Sequence, residues 1–281
     1  MHDFQRFSYH SHTNFSDGKN TPEEMIAQAK AIGFTELGIT DHLIVHKNIT
    51  ASPSWQSMTK YNEVHIYQKD FRACLPAFQQ HCENLRKIAL REKFKVSIGF
   101  EVDFFTYDGW LEELKDFLSN LDYDYVISGN HFLFDENCQT IYNINKDLVN
   151  FCDDEYIRKL IKQHFINIRK SVESRLFKFV AHLDYVRKMG GVYCQPGDYW
   201  AEKIAVLESL EKFGVGMEVS TKGLRKIGDY YPCAQLLQEA SKRDISVVIS
   251  DDAHRTSELG DGFVQAEAKL LENNLLKRLK F

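Results

Sequence analysis

The sequence lacks the features that would place it in a membrane or an oxidising compartment. No apolar run approaches the roughly 18 residues a membrane-spanning helix needs, and the opening MHDFQRFSYH has no apolar h-region of the kind found in secretory leaders. The six cysteines, Cys74, Cys82, Cys138, Cys152, Cys194 and Cys233, form no C-x-x-C pair. Without a leader they read as reduced thiols of a cytoplasmic protein. Basic residues are not in excess: 35 Lys+Arg against 40 Asp+Glu give a formal net charge of -5. Such a balance offers no electrostatic footprint for long nucleic acid. No internal repeat, low-complexity segment or linker is evident, so 1–281 is expected to form a single domain.

What is present is material for a core: 43% of the residues are hydrophobic, with 20 Phe and 13 Tyr, which excludes disorder. Short apolar segments alternate with longer helical patterns. Strands are predicted at 7–9, 37–40, 94–100, 125–127, 177–181, 215–219 and 245–249. Between them, Thr21 and Glu24 form a capping box ahead of a helix that Gly33 closes. Further helices are predicted in the second part of 43–91 and at 110–118, 155–172, 200–212, 231–243 and 263–276. The alternation implies an α/β fold of parallel strands with helical crossovers, either a barrel or an open sheet. Two insertions interrupt it, after the second and fourth strands, at about 43–91 and 132–152. In the first, 49–60 reads as a loop or lid, where Trp55 and Tyr61 either line a pocket or pack the insertion down.

The ionisable residues cluster at the ends of these strands. His10 and His12 follow the first as H-S-H, and Asp41 and His42 end the second as T-D-H. Glu101 ends the third, and His131 follows the fourth. His182 and Asp184 end the fifth, and Asp251, Asp252 and His254 end the seventh; the sixth offers Glu218, Ser220 and Lys222. In parallel α/β folds the C-terminal strand ends share one face, where sites are built. Any one of these histidines alone would pass for a satisfied polar residue. Together they make the ligand set of a Zn, Mn or Fe centre. Residues two apart on a strand point the same way, so both imidazoles of H-x-H can reach one ion. His2, His46, His65, His81 and His164, with Asp103 and Asp108, read as solvated or loop residues.

The ordered set H-S-H, D-G at Asp17, T-D-H, Glu101, His131, His182 and D-A-H at Asp252–His254 resembles the polymerase and histidinol phosphatase (PHP) family over about Tyr9 to Phe263. The resemblance implies a distorted seven-stranded (β/α) TIM-like barrel carrying three divalent metal ions. It implies that His10, His12 and Asp252 hold one ion, with Glu101 bridging to a second completed by His131 and His182. Asp17, His42 and His254 would hold the third. G-F-E-V-D-F, N-H-F-L, A-H-L-D-Y-V-R-K and V-S-T-K-G-L-R-K are similar to segments of the histidinol-phosphate phosphatase branch. One departure is Ser220-Thr221-Lys222, where Asn-Thr-Ser/Ala is more usual.

The expected activity is hydrolysis of a small phosphate ester, L-histidinol phosphate first. Ions lower the pKa of water and neutralise phosphoryl charge. Glu101 and Asp252 are the catalytic candidates at the ions, and Asp41 and Asp184 are candidates for orienting imidazoles or moving protons. Arg225, Arg187 and Lys222, and less strongly Arg255, are candidates for binding phosphate. Alternatives are another phosphate ester or nucleotide, C–N bond hydrolysis of the amidohydrolase kind, and a non-catalytic metal-binding module.

Overall fold

In the computed structural model, residues 5–59, 66–275, 277 and 279 are described. Apolar, β-branched runs form seven strands: β1 (Phe7–Ser8), β2 (Glu36–Val45), β3 (Lys95–Val102), β4 (Tyr125–Ser128), β5 (Phe179–Val180), β6 (Gly216–Ser220) and β7 (Val247–Ser250). They pair in parallel in sequence order. All ten residues of β2 are buried, as expected of a strand covered on both faces.

The sheet curls until it nearly closes, which decides for a barrel over an open sheet. The seam between β1 and β7 is held at two levels. At one end the Gln5 amide stands in for a strand, its Nε2 donating to Ile249 O (2.5 Å) and its Oε1 accepting from Ile249 N (3.1 Å). At the other, Ser11 and Ala253 form a parallel bridge, and His12 N donates to Ala253 O (2.8 Å).

Helices α1 (Pro22–Ala31), α2 (Phe71–Glu92), α3 (Trp110–Ser119), α4 (Asp154–Glu173), α5 (Trp200–Phe213), α6 (Ala234–Ala240) and α7 (Phe263–Glu272) surround the barrel. The predicted capping box on α1 is present: Glu24 N donates to Thr21 Oγ1 (3.3 Å) and Thr21 N to Glu24 Oε2 (2.9 Å). Among the described residues no helix is long and apolar enough to cross a membrane.

Three features differ from the expectation. β2 runs on to Val45, because Leu43–Val45 continue the apolar run past Asp41 and His42, and Ile44 and Val45 pair with the short strand Tyr67–Gln68. The second insertion contains an antiparallel hairpin, Phe132–Asp135 with Thr140–Asn143. A helix at Lys222–Ile227 follows β6 directly, and the next helix starts at Ala234 rather than Tyr231, since Tyr231 bridges back to Ser220. Tyr61 and His65 lie outside the described residues, and Trp55 packs half-buried on the core.

The barrel interior is filled by Tyr9, Tyr125, Ile127, Phe179, Ala181 and Val248. Tyr125 Oη donates to Tyr9 O (2.8 Å) across the space left by Gly38, where a Cβ would stand 2.7 Å from Tyr9 Cα. Gly38→Ala is therefore expected to cost about 1–3 kcal/mol by overpacking, read as a lower denaturant midpoint.

His46 anchors the first insertion. It is fully buried, its ring 4.7, 4.9 and 4.3 Å from those of Phe105, Tyr107 and Phe134. Burial, and secondarily Lys47, pushes its pKa from 6.5 down to about 3. As pH falls from 6.5 toward 3, the unfolded chain takes up a proton that the folded chain refuses. That contribution to stability is therefore lost at about 1.4 kcal/mol per pH unit. His46→Phe should flatten the pH dependence of the unfolding midpoint across this window; an unchanged slope would refute the account.

Candidate metal centre

The bridge at Ser11 explains how H-S-H works. Ser11 faces the sheet, where its Oγ donates to Gly38 O (2.7 Å), so its neighbours His10 and His12 turn to the axis, both fully buried. Glu101, at the inner end of β3, is the point on which the cluster converges. Its Oε2 lies 3.3 Å from His10 Nε2, 3.4 Å from His12 Nε2 and 3.1 Å from His42 Nδ1. Its Oε1 lies 2.8 Å from His182 Nε2 and 3.4 Å from His131 Nε2. Room for this carboxylate comes from Gly129, where a Cβ would stand 2.8 Å from Glu101 Oε1.

Asp252 presents Oδ1 to His12 Nε2 (3.2 Å) and His10 Nε2 (3.5 Å). Asp17 meets His254 Nε2 at 3.1 Å and His42 Nε2 at 3.5 Å. Two of these positions hold strained backbone, with φ of 26° at His182 and 47° at Asp252. Outlying backbone of this kind costs about 1–3 kcal/mol and clusters at functional sites.

All nine expected ligands, eight from the strand ends and Asp17 implied by the resemblance, are thus brought together. Their ligand atoms fall into overlapping groups within 4.8 Å: His12, Asp17, His42 and His254; His10, His12 and Glu101; His42, Glu101 and His131; His10, His182 and Asp252. The first contains the trio expected to share an ion. His131 and His182, expected together, approach the same Glu101 oxygen but fall into different groups.

The residues fit a metal centre on a further count. Among the described residues, eight buried atoms of the cluster have no hydrogen-bond partner: His10 Nε2, both nitrogens of His12, Asp17 Oδ1, His42 Nδ1, Glu101 Oε2, His182 Nδ1 and Asp252 Oδ1. Unpaired buried polar atoms cost about 1–3 kcal/mol each. A concentration of them with this donor chemistry is what divalent ions satisfy. The protonation pattern is strongly coupled. Burial pushes the His12 imidazole down to about 3, helped by the positive charges of His254 and His42. Burial also opposes the charge on His42, but Asp17 and Glu101 outweigh it and raise that imidazole to about 9. Burial likewise works against the Glu101 and Asp252 carboxylates. His131 and His10 hold the former well below the usual range, and Lys222 and His10 the latter.

An outer ring of carboxylates orients the imidazoles. His10 Nδ1 donates to Glu218 Oε1 (2.7 Å), and His182 N donates to Glu218 Oε2 (2.6 Å). His131 Nδ1 donates to Asp103 Oδ2 (3.1 Å). Asp103 is therefore no loop acid. It is fully buried, two residues beyond Glu101, and that i, i+2 spacing was a signal in the sequence. His81 and His164 are likewise buried rather than solvated, because α2 and α4 turn those faces inward. Asp41 lies one layer out, accepting from Thr13 N and Oγ1 (both 2.7 Å), Ser16 Oγ (2.6 Å) and His81 Nε2 (3.0 Å). It fixes the loop after β1 and does not reach the cluster. Asp184 also stands apart, accepting from Cys233 N (3.0 Å).

A cavity of about 620 Å³ opens over the cluster, and its lining includes His131, Lys222, Arg225, Arg255 and, unforeseen, Tyr185 and Lys188. Lys222 Nζ lies 2.8 Å from Asp252 Oδ2, and Arg225 donates to Asp251 O (2.5 Å). Arg187 does not line this cavity. Its guanidinium is taken by Asp229 (2.6 Å) and Tyr230 O (2.8 Å), because the 3-10 turn Tyr185–Met189 aims alternate residues apart.

The sequence matches the PHP domain family over residues 8–222. It is 26% identical, across 92% of its length and 89% of the relative's, to a Deinococcus radiodurans protein named "Probable histidinol-phosphatase". It is 24% identical to the histidinol-phosphatase of Bacillus subtilis, across 91% of this chain and 96% of that one. In structure it resembles a Lactococcus lactis histidinol phosphate phosphatase solved with Zn, L-histidinol and phosphate, with a TM-score of 0.70 at 17% identity, covering 98% of this chain and 96% of that one.

If Asp103 fixes His131 for metal binding, Asp103→Asn should weaken zinc affinity by about 10- to 100-fold in chelator competition, with the fold unchanged by circular dichroism.

Proposed function

The chain belongs to the PHP domain family, and on that footing we propose that residues 1–281 act as one catalytic domain that hydrolyses L-histidinol phosphate to L-histidinol and inorganic phosphate. The observation that carries the reading is the division of labour at Glu101, whose two oxygens each face a separate set of imidazoles beneath a cleft lined with Lys and Arg. The names of the two relatives that match about nine-tenths of the chain support it.

In this reading His10, His12 and Asp252 would hold one divalent ion, His131 and His182 a second, and Asp17, His42 and His254 a third, with Glu101 available to the first two. Zn, Mn and Fe all suit the donor set. Such ions supply Lewis-acid neutralisation of the phosphoryl oxygens and activation of water at neutral pH. The chain's own residues do the rest. Glu218 and Asp103 keep His10 and His131 in place. Lys222 and Arg225 line the cleft and bind phosphoryl oxygens. Water oxygen bonds to phosphorus as the ester P–O bond breaks. The water gives up a proton and the leaving alkoxide gains one, and Lys222, held 2.8 Å from Asp252 at the cleft, is a cation placed to meet the charge that develops on the oxygens.

The test is phosphate release from L-histidinol phosphate by metal-reconstituted protein. Turnover is expected, with His131→Ala reducing it by about 100-fold or more. No release from the wild type would sink the histidinol assignment.

A further inference from the structure

The charge around the cleft is one-sided. Its lining holds seven Lys or Arg side chains and only two carboxylates, Asp17 and Glu258, in a chain whose acids outnumber its bases 40 to 35. Lys146, Lys188, Lys222, Arg225 and Lys226 come from three segments: the turn after the hairpin, the turn Tyr185–Met189 and the helix Lys222–Ile227. Lys222 is paired with Asp252 (2.8 Å), and Arg225 reaches Asp261 (3.5 Å). Among the described residues Lys146, Lys188 and Lys226 have no ion-pair partner.

Lys188 is the telling member. It is half-buried, with Nζ 3.3 Å from Tyr185 Oη and 5.2 Å from the centre of that ring. The Tyr185 ring stands 5.0 Å from the His131 ring and 4.8 Å from the His182 ring, so this ammonium borders the metal centre. Burial lowers its pKa to about 8, with repulsion from Lys222 and Lys226 next. An ammonium held partly out of water, beside other cations and without a counter-ion, is costly. The arrangement is favourable when an anion enters. A single phosphoryl group seated among divalent ions, Lys222 and Arg225 leaves the other three ammonium groups unanswered, and L-histidinol, an amine, brings no negative charge to them.

We propose that Lys146, Lys188 and Lys226 form a second anion subsite in the outer cleft. Through it the chain also hydrolyses phosphate monoesters whose leaving group carries an anionic group of its own. This rests on the phosphomonoesterase reading above and extends its substrate class.

A matched pair tests it: 3-phosphoglycerate and glycerol 3-phosphate, which differ in a carboxylate at the far carbon. With metal-reconstituted wild type at low ionic strength, kcat/KM is expected to be about tenfold higher for 3-phosphoglycerate. The gap should close with added salt and in the double variant Lys188→Met, Lys226→Met. Lys226 is exposed, so Lys226→Glu alone, which threatens no packing, should also narrow it. Equal kcat/KM for the pair in the wild type, or a gap that survives these substitutions, overturns the subsite. Calorimetric titration of both esters into the metal-loaded protein reads the same preference as Kd, and equal Kd values overturn it whether or not either ester is turned over. Release from L-histidinol phosphate, run alongside, separates the two readings. Turnover there with no preference within the pair sinks the subsite alone. A preference within the pair with histidinol phosphate inert upholds the subsite and sinks the histidinol assignment.

Discussion

The structure depends on one buried carboxylate. Glu101 sits at the inner end of β3 with imidazoles around both oxygens, three facing one and two facing the other. A charge so deeply enclosed is tolerable only when opposite charge surrounds it, and the ends of β1, β2, β4 and β5 contribute the imidazoles of that surrounding. The strained backbone at His182 and Asp252 and the bare Cα at Gly129 are the local costs of bringing side chains this close around it. The folding free energy of the rest of the barrel has to bear them.

Around this charge the polar groups are layered. The imidazoles touch Glu101, Asp17 or Asp252. Behind them Glu218 and Asp103 hold two of the rings. Behind these, Ser250 donates to Glu218, and Asp41 gathers the loop after β1. Each layer restricts the rotamers of the next inward, so the cluster is preorganised by the strand ends and by the short loops pinned to them. The mouth is built differently. Five of its seven cations lie on a short helix, a 3-10 turn and the turn after the hairpin, elements added at the barrel rim that can vary without disturbing the layers below.

Much of this was legible in the sequence, because the two strongest signals coincide. Each apolar run that makes a parallel strand ends in polar residues, and on six of the seven these include histidine, aspartate or glutamate of the metal-ligand set. Seven strands and eight converging residues could be read from that pattern, and the family resemblance added Asp17. The remainder was hidden for identifiable reasons. Asp41 and His42 looked like the end of a strand because charge usually marks one, yet β2 continues to Val45 since both of its faces are covered. His46, His81 and His164 carry no local mark of burial, as only the packing of distant aromatic rings and helices encloses them. Arg187 and Lys188 are neighbours in sequence, and which of them faces the cleft is set by a turn that no periodicity announces.

The seam of the barrel has a consequence for how the protein is made. The H-S-H of the first strand and the D-A-H of the last meet across the bridge between Ser11 and Ala253, so the cluster draws on residues from position 10 to position 254. During synthesis, the early histidines wait on the ribosome while most of the chain is still unwritten. Until the final strand emerges, Glu101 and its imidazoles lack Asp252 and His254, and the barrel lacks the edge that shuts it. The assembled centre is thus a property of the finished polypeptide alone: a prematurely terminated product would carry most of its ligands and still present an open, incomplete cup.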